Sequence, residues 1–183
     1  MLFSRLRTPV NRRMNQKGTS VLEFALLLPL LLLLLIGMID LCVLLDSELR
    51  LTHLSREAAN VLSRGAGFEE TFAALTSAGR GLEFDGPKGK AILTKISLDK
   101  HGNPVITAQR SIGGLNRSSA CGTLPDGATS VPAVIPNGRT VPPHLSLMVV
   151  ELFTEQQHFY GKSGLASEKD KKGTIVLGSL AVF

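Results

Sequence analysis

The chain has 183 residues, 44% of them hydrophobic, with 20 Lys and Arg against 15 Asp and Glu. That length supports a single small core, and two cysteines are too few for a disulfide framework. The net charge of +5 is accounted for by Arg5, Arg7, Arg12, Arg13 and Lys17. The balanced remainder gives no support for nucleic-acid binding.

Residues 1–18 read as a basic leader, which the positive-inside rule keeps cytoplasmic. From Thr19 to Leu45 runs an almost unbroken apolar stretch that predicts a transmembrane helix. At ~1.5 Å per residue it spans roughly 40 Å, more than the ~30 Å hydrocarbon core. Asp40 and Asp46 then fall near or beyond the far interface. A secretory signal would end in small residues in an A-x-A-like arrangement, and none follow Gly37. A lipoprotein signal fails because Ile39-Asp40-Leu41 precedes Cys42. Pro29 lies inside the span, where membrane helices tolerate it as a mild kink; local melting during subunit packing is the functional version of that kink.

Glu23 is the charge that stands out. A carboxylate within hydrocarbon costs about 2.5 kcal/mol or more near the centre, which makes it a functional residue by default. The bland alternative is an interfacial Glu favoured by the positive N-terminal end of its helix. Gly18 bears on the choice, because a bond after Gly, followed by small Thr19 and Ser20, is open to a protease. Cutting there creates an amine at Thr19 that can neutralise Glu23 of a neighbouring subunit.

Beyond the membrane, residues 46–66 continue as an amphipathic helix with Leu44, Leu51, Leu54, Ala58, Val61 and Leu62 in one stripe. Gly65 and Gly67 are its stops. Residues 67–183 read as a small extracytoplasmic domain. Phe68 to Gly79 forms a short helix with Phe72, Leu75 and Ala78 inward. Ala91–Leu98 and Val105–Ser111 form a hairpin around the turn 99–104. Residues 118–143, rich in Gly, Pro, Ser and Thr, read as a long exposed loop. Leu145–Thr154 is a buried strand, Lys169 to Lys172 a polar turn, and Thr174–Phe183 the last strand. The fold class is α+β, a long helix packed on a small antiparallel sheet.

The residues offer little chemistry. His53, His101, His144 and His158 are scattered without zinc spacing, and no calcium-loop pattern surrounds Asp85, Asp99 or Asp126. Gly79-Arg-Gly81 and Gly113-Gly114 lack the Lys-Ser/Thr of a phosphate loop. Ser118-Ser119 and the histidines form no nucleophile motif, and Glu69 and Glu70 fall on a solvated helix face. We expect no enzyme activity, no cofactor and no metal. For the cysteines, the simplest reading buries Cys42 as a small apolar residue and leaves Cys121 free. A Cys42–Cys121 bridge and a Cys121 crosslink between subunits are the other two.

Gly18-Thr-Ser-Val-Leu-Glu23-Phe24 ahead of a hydrophobic helix resembles the processing site of type IV prepilins. With Pro29 in the leucine run and Arg56-Glu57-Ala58-Ala59 after it, residues 15–65 resemble the TadE/TadG-type pseudopilins of the tight-adherence (Flp) pilus system. The resemblance covers about the first third of the chain; beyond it the likeness is general, chiefly the strand-like end from Gly173. It implies cleavage between Gly18 and Thr19 by a prepilin peptidase, with Glu23 and Phe24 serving processing and assembly. It further implies an inner-membrane, single-pass protein whose partners are lipid, other pilin-like subunits and the assembly platform. An outer domain larger than a major Flp pilin implies a minor or accessory subunit, with a pilin-like shape. The competing reading is an uncleaved, signal-anchored protein whose outer domain binds an envelope partner.

Overall fold

The computed structural model describes residues 16–157 and 174–183. Its elements are helix α1 (Gln16–Ser63), helix α2 (Phe68–Ala78), and strands β1 (Gly89–Leu98), β2 (Pro104–Ile112), β3 (Val131–Pro132), β4 (Leu147–Gln157) and β5 (Thr174–Val182). The strands form one five-stranded antiparallel sheet in the order β3-β2-β1-β4-β5. The fold is α+β, as the sequence implies. The expected turn at Lys169 to Lys172 and the leader up to Asn15 lie outside the described residues.

The chain divides into two compact units, the second beginning at Cys42. In the first unit α1 is α-helical through Pro29. Its leucine run is exposed, with Leu26 at 72% and Leu30 at 62%. From Ser20 onward the helix is long and apolar enough to cross a membrane, and no residue of its most apolar stretch is buried.

In the second unit α1 changes character. Ser47, Leu51, Ser55, Ala58, Ala59 and Leu62 are buried at spacings of three and four, so they occupy one helix face. Leu44, Leu54 and Val61, expected within the same stripe, are only partly covered and flank it. The small residues matter at the contact. Ser55 Oγ lies 2.8 Å from Ser179 Oγ on β5, and also donates to the Thr52 carbonyl. That approach leaves no room for a larger side chain between helix and strand.

Just past Leu62 the helix ends at Ser63, and Gly65 adopts φ +93° before Gly67 caps the start of α2. On α2 the inward residues are Thr71, Phe72 and Leu75. Ala78, expected inward with them, is exposed at the end of the helix, where it borders an open groove with Leu75 and with Leu54 and Ala58 of α1. The chain must then bend tightly over itself: a Cβ on Gly79 would collide with the Phe84 ring and come within 2.8 Å of the Leu75 carbonyl.

Together these residues build the inner core. Leu51, Ala58, Leu62, Phe72, Leu75 and Phe84 pack with Ala91 and Leu93 of β1 and Val150 and Leu152 of β4. The β1–β2 hairpin is closed by Asp99, whose carboxylate accepts the His101 and Asn103 backbone N–H groups, each at 2.8 Å. The Asn103 bond is the main reason its carboxyl lies below the usual carboxylate range. Gly102 supplies φ +82° in the same turn.

The sheet is covered on its other face too, and here the structure departs from the sequence reading. Residues 118–143 contain little regular structure, only β3 and a 3₁₀ turn at Pro136–Gly138, yet they are not a uniformly exposed loop. Cys121 and Val141 are buried in an outer core with Ile96, Ile106, Leu147, Val149 and Val182. The register slip between Lys95 and Ile96 is a bulge of the kind that adds local twist. An apolar outer face needs cover, and this connection supplies it.

Leu62 is 1% exposed at the end of the α1 stripe. Leu62→Ala is expected to lower stability by about 2–5 kcal/mol through lost burial and the cavity left behind. Guanidinium unfolding of the full chain in detergent measures this, with Arg64→Ala, at an exposed position, expected within about 0.5 kcal/mol of wild type.

Candidate functional site

Two places hold the residues that chemistry could use. The first is the start of α1. Gly18 and Thr19 lie on the helix, which begins at Gln16 among the described residues. Glu23 is exposed on the helix four residues after Thr19. Its surroundings are apolar and exposed, with Val21 at 69%, Leu22 at 64% and Phe24 at 60%. In hydrocarbon a carboxylate in this position needs a cationic or hydrogen-bonding partner.

The second place is on the outer face of the sheet, and the sequence reading missed it. Glu151, in the middle of β4, is 1% exposed. Its carboxylate accepts a short hydrogen bond from Ser119 Oγ and another from the Ala120 backbone N–H at 2.8 Å. Ser119 Oγ in turn accepts the Cys121 N–H at 3.1 Å. Beside it Gln109 of β2 acts as a second clip. Its Nε2 donates to Thr94 Oγ1 and to the Gly122 carbonyl, both at 3.0 Å, while its Oε1 accepts the Leu124 N–H. The two side chains tie residues 119–124 to the sheet through the Ser119 hydroxyl and the backbone groups of Ala120, Gly122 and Leu124. The one acidic residue within the run Leu147-Met-Val-Val-Glu-Leu-Phe153 was the available signal, since a carboxylate at an inward strand position must find donors.

This second cluster holds structure together and shows no catalytic arrangement. Ser119 has a carboxylate partner, but none of His53, His101 and His144 is buried or set beside it; all three are exposed, and His158 lies outside the described residues. No group of three His, Cys, Asp or Glu among the described residues is placed to hold a metal ion. Glu69 and Glu70 are exposed on α2.

The cysteines are both unpaired, with their environments the reverse of the simplest expectation for Cys42. Cys42 is exposed and Cys121 is buried. Cys42 sits on the part of α1 where the side chains still face outward, ahead of the buried stripe. Burial, and secondarily the Glu151 carboxylate, push the Cys121 thiol up to about 11 against an opposing Ser119 hydrogen bond. A thiol so placed is inert toward exchange.

Residues 18–60 match the family model described as TadE-like protein. That segment is therefore similar to TadE-like proteins, over the residues where Gly18, Glu23, Phe24, Pro29 and Arg56–Ala59 carry the resemblance. The match includes the membrane-length part of α1 and most of its buried stripe; the sheet lies outside it. No curated protein and no solved structure matches the chain.

Glu151→Ala removes the acceptor for Ser119 and Ala120. We expect about 1–3 kcal/mol of destabilisation and, in a Cys42→Ser background, alkylation of Cys121 at pH 8 at least about tenfold faster. A pH effect follows from the raised thiol. Between the ordinary cysteine value of 9.0 and about 11 the folded chain holds a proton that the unfolded chain has lost. Stability is thus full below pH 9 and falls as pH rises through that window, and Cys121→Ser should flatten this dependence in denaturant titrations.

Proposed function

We propose that the protein is a pseudopilin-like minor subunit of a tight-adherence pilus, processed by a prepilin peptidase between Gly18 and Thr19. The observation that carries this reading is a coincidence of place. The TadE-like match begins at Gly18, where the basic leader gives way to an exposed apolar helix with a single early carboxylate, Glu23. An anchor alone requires the basic leader and the helix. It does not require Gly18, or a Glu-Phe pair inside the apolar stretch, so the uncleaved signal-anchor reading leaves those residues without a role.

In this reading the leader stays cytoplasmic and the sheet domain lies outside the inner membrane. The new Thr19 amine of one subunit neutralises Glu23 of another when their helices meet within lipid. Each charge then compensates the other's desolvation, and the pair favours one axial register between helices. Lipid covers the exposed leucines along the rest of the helix, and other pilin-like subunits and the assembly platform are its partners. The reading calls for no enzyme activity and no cofactor.

Two substitutions separate processing from assembly. Gly18→Leu should leave membrane insertion intact and abolish cutting, so that the leader persists on the protein. Glu23→Ala should insert and be cut, yet disappear from the sheared surface fraction that contains pili. Undiminished incorporation of Glu23→Ala would remove the charge pair from the mechanism, and cutting of Gly18→Leu at the same bond would show that the glycine does not define the site.

A further inference from the structure

The two edges of the sheet are protected unequally. One edge is β3, only two residues long and containing Pro132. Short strands and proline are standard ways to blunt an edge. The other edge is β5, nine residues long. Its sequence, Thr-Ile-Val-Leu-Gly-Ser-Leu-Ala-Val, has no charge and no proline.

The phase of the β4–β5 ladder fixes which backbone groups of β5 point outward. Met148 and Phe183 exchange both backbone hydrogen bonds, at 2.7 and 3.0 Å. With the register Val150↔Ala181, Leu152↔Ser179 and Thr154↔Leu177, those alternate pairs also face each other, as antiparallel pairing requires. The N–H and C=O groups of Val176, Gly178, Leu180 and Val182 therefore face away from the sheet. Arg139 Nη1 donates to the Val182 carbonyl at 2.7 Å, which closes that end. No hydrogen bond reaches the outward groups of Val176, Gly178 and Leu180 among the described residues.

A second observation singles out the centre of this edge. Gly178 is exposed, and the Phe153 ring of β4 lies beside it, 3.1 Å from where a Cβ would stand. The ring covers the missing side chain and is itself only half-buried, leaving an apolar surface at mid-edge.

We propose that β5 pairs, antiparallel, with β5 of a second copy of this chain, about a two-fold axis at Gly178. The register is self-complementary. Gly178 meets its own counterpart, and Leu180 of each copy lies opposite Val176 of the other, so the three open positions supply about six backbone hydrogen bonds. On the same face the two Phe153 rings flank the paired glycines, an arrangement known to support glycine in strands. The absence of charge along β5 removes like-charge repulsion between identical copies. It also removes any electrostatic means of selecting a different partner. Arg139 ends the ladder at Val182 in both copies. This inference is independent of leader processing and concerns the sheet domain alone.

Val176→Lys places a charge on the open edge while leaving the β4 ladder intact, because the Val176 amide points outward. The test is sedimentation of the full chain in detergent, joined to residue-resolved amide exchange. Wild type is expected to dimerise, with Val176→Lys raising the dissociation constant at least about tenfold. In the wild-type dimer the amides of Val176, Gly178 and Leu180 should exchange at least about tenfold more slowly than in the variant. Those of Leu177 and Ser179, bonded to β4, should be slow in both, which shows that the strand remains folded. A wild-type monomer overturns the proposal. So does a dimer that survives Val176→Lys with the three outward amides still fast, since it must form elsewhere, and so does slow exchange of those amides in a monomer.

Discussion

Everything in the second unit depends on one contact, the seating of the α1 stripe from Leu51 to Leu62 on the inner face of the sheet. The sheet has two apolar faces and can bury the inner one only against a helix. The helix is fitted for this by alternating bulk with small residues: Leu51 and Leu62 fill space among Leu93, Val150 and Leu152, and Ser55 allows the backbone near enough to meet Ser179. Replacing the serine by a larger apolar residue would push the strand away, whereas replacing the leucines would leave voids. The second helix, the Gly79 bend and Phe84 then close the end of the same core.

The outer face follows a different physical rule. A segment poor in large apolar side chains covers it, so hydrophobic burial is supplemented by hydrogen bonds from the sheet to the covering backbone. Glu151 and Gln109 serve that purpose, each bonded to two groups of residues 119–124. A buried carboxylate is stable only when its donors are in place, so Glu151 couples the order of the loop to that of β4. Cys121, carried inward by the same loop, becomes a packing residue with an inert thiol.

Local chemistry made much of this legible in the sequence. The membrane-length helix, its amphipathic continuation and the hairpin about Asp99 each announce themselves in a short window, through continuous apolarity, three-to-four periodicity and turn residues. The strands expected at residues 91–98, 105–111, 145–154 and 174–183 lie within a few residues of β1, β2, β4 and β5. What stayed hidden depends on distant partners. Nothing within residues 118–143 tells that Cys121 and Val141 are buried, because the surface they cover belongs to β1, β2, β4 and β5. Ala78 is exposed although its residue type suits a core, and Glu151 is a buried acceptor whose donors lie some thirty residues earlier. At the start of α1, by contrast, the proposed roles of Gly18, Glu23 and Phe24 rest on residue type and spacing at a charge boundary, with no distant partner in the argument.

That boundary also carries the functional account, in which an exposed apolar helix with an early carboxylate becomes competent for assembly when the leader before it is removed. The measurement that bears on it most directly is the N-terminal residue and intact mass of the membrane-extracted protein, from cells with and without their prepilin peptidase. The account predicts a mature chain that starts at Thr19 only when the peptidase is present. A chain that keeps its leader under both conditions would contradict it, and would leave the helix as a permanent signal anchor.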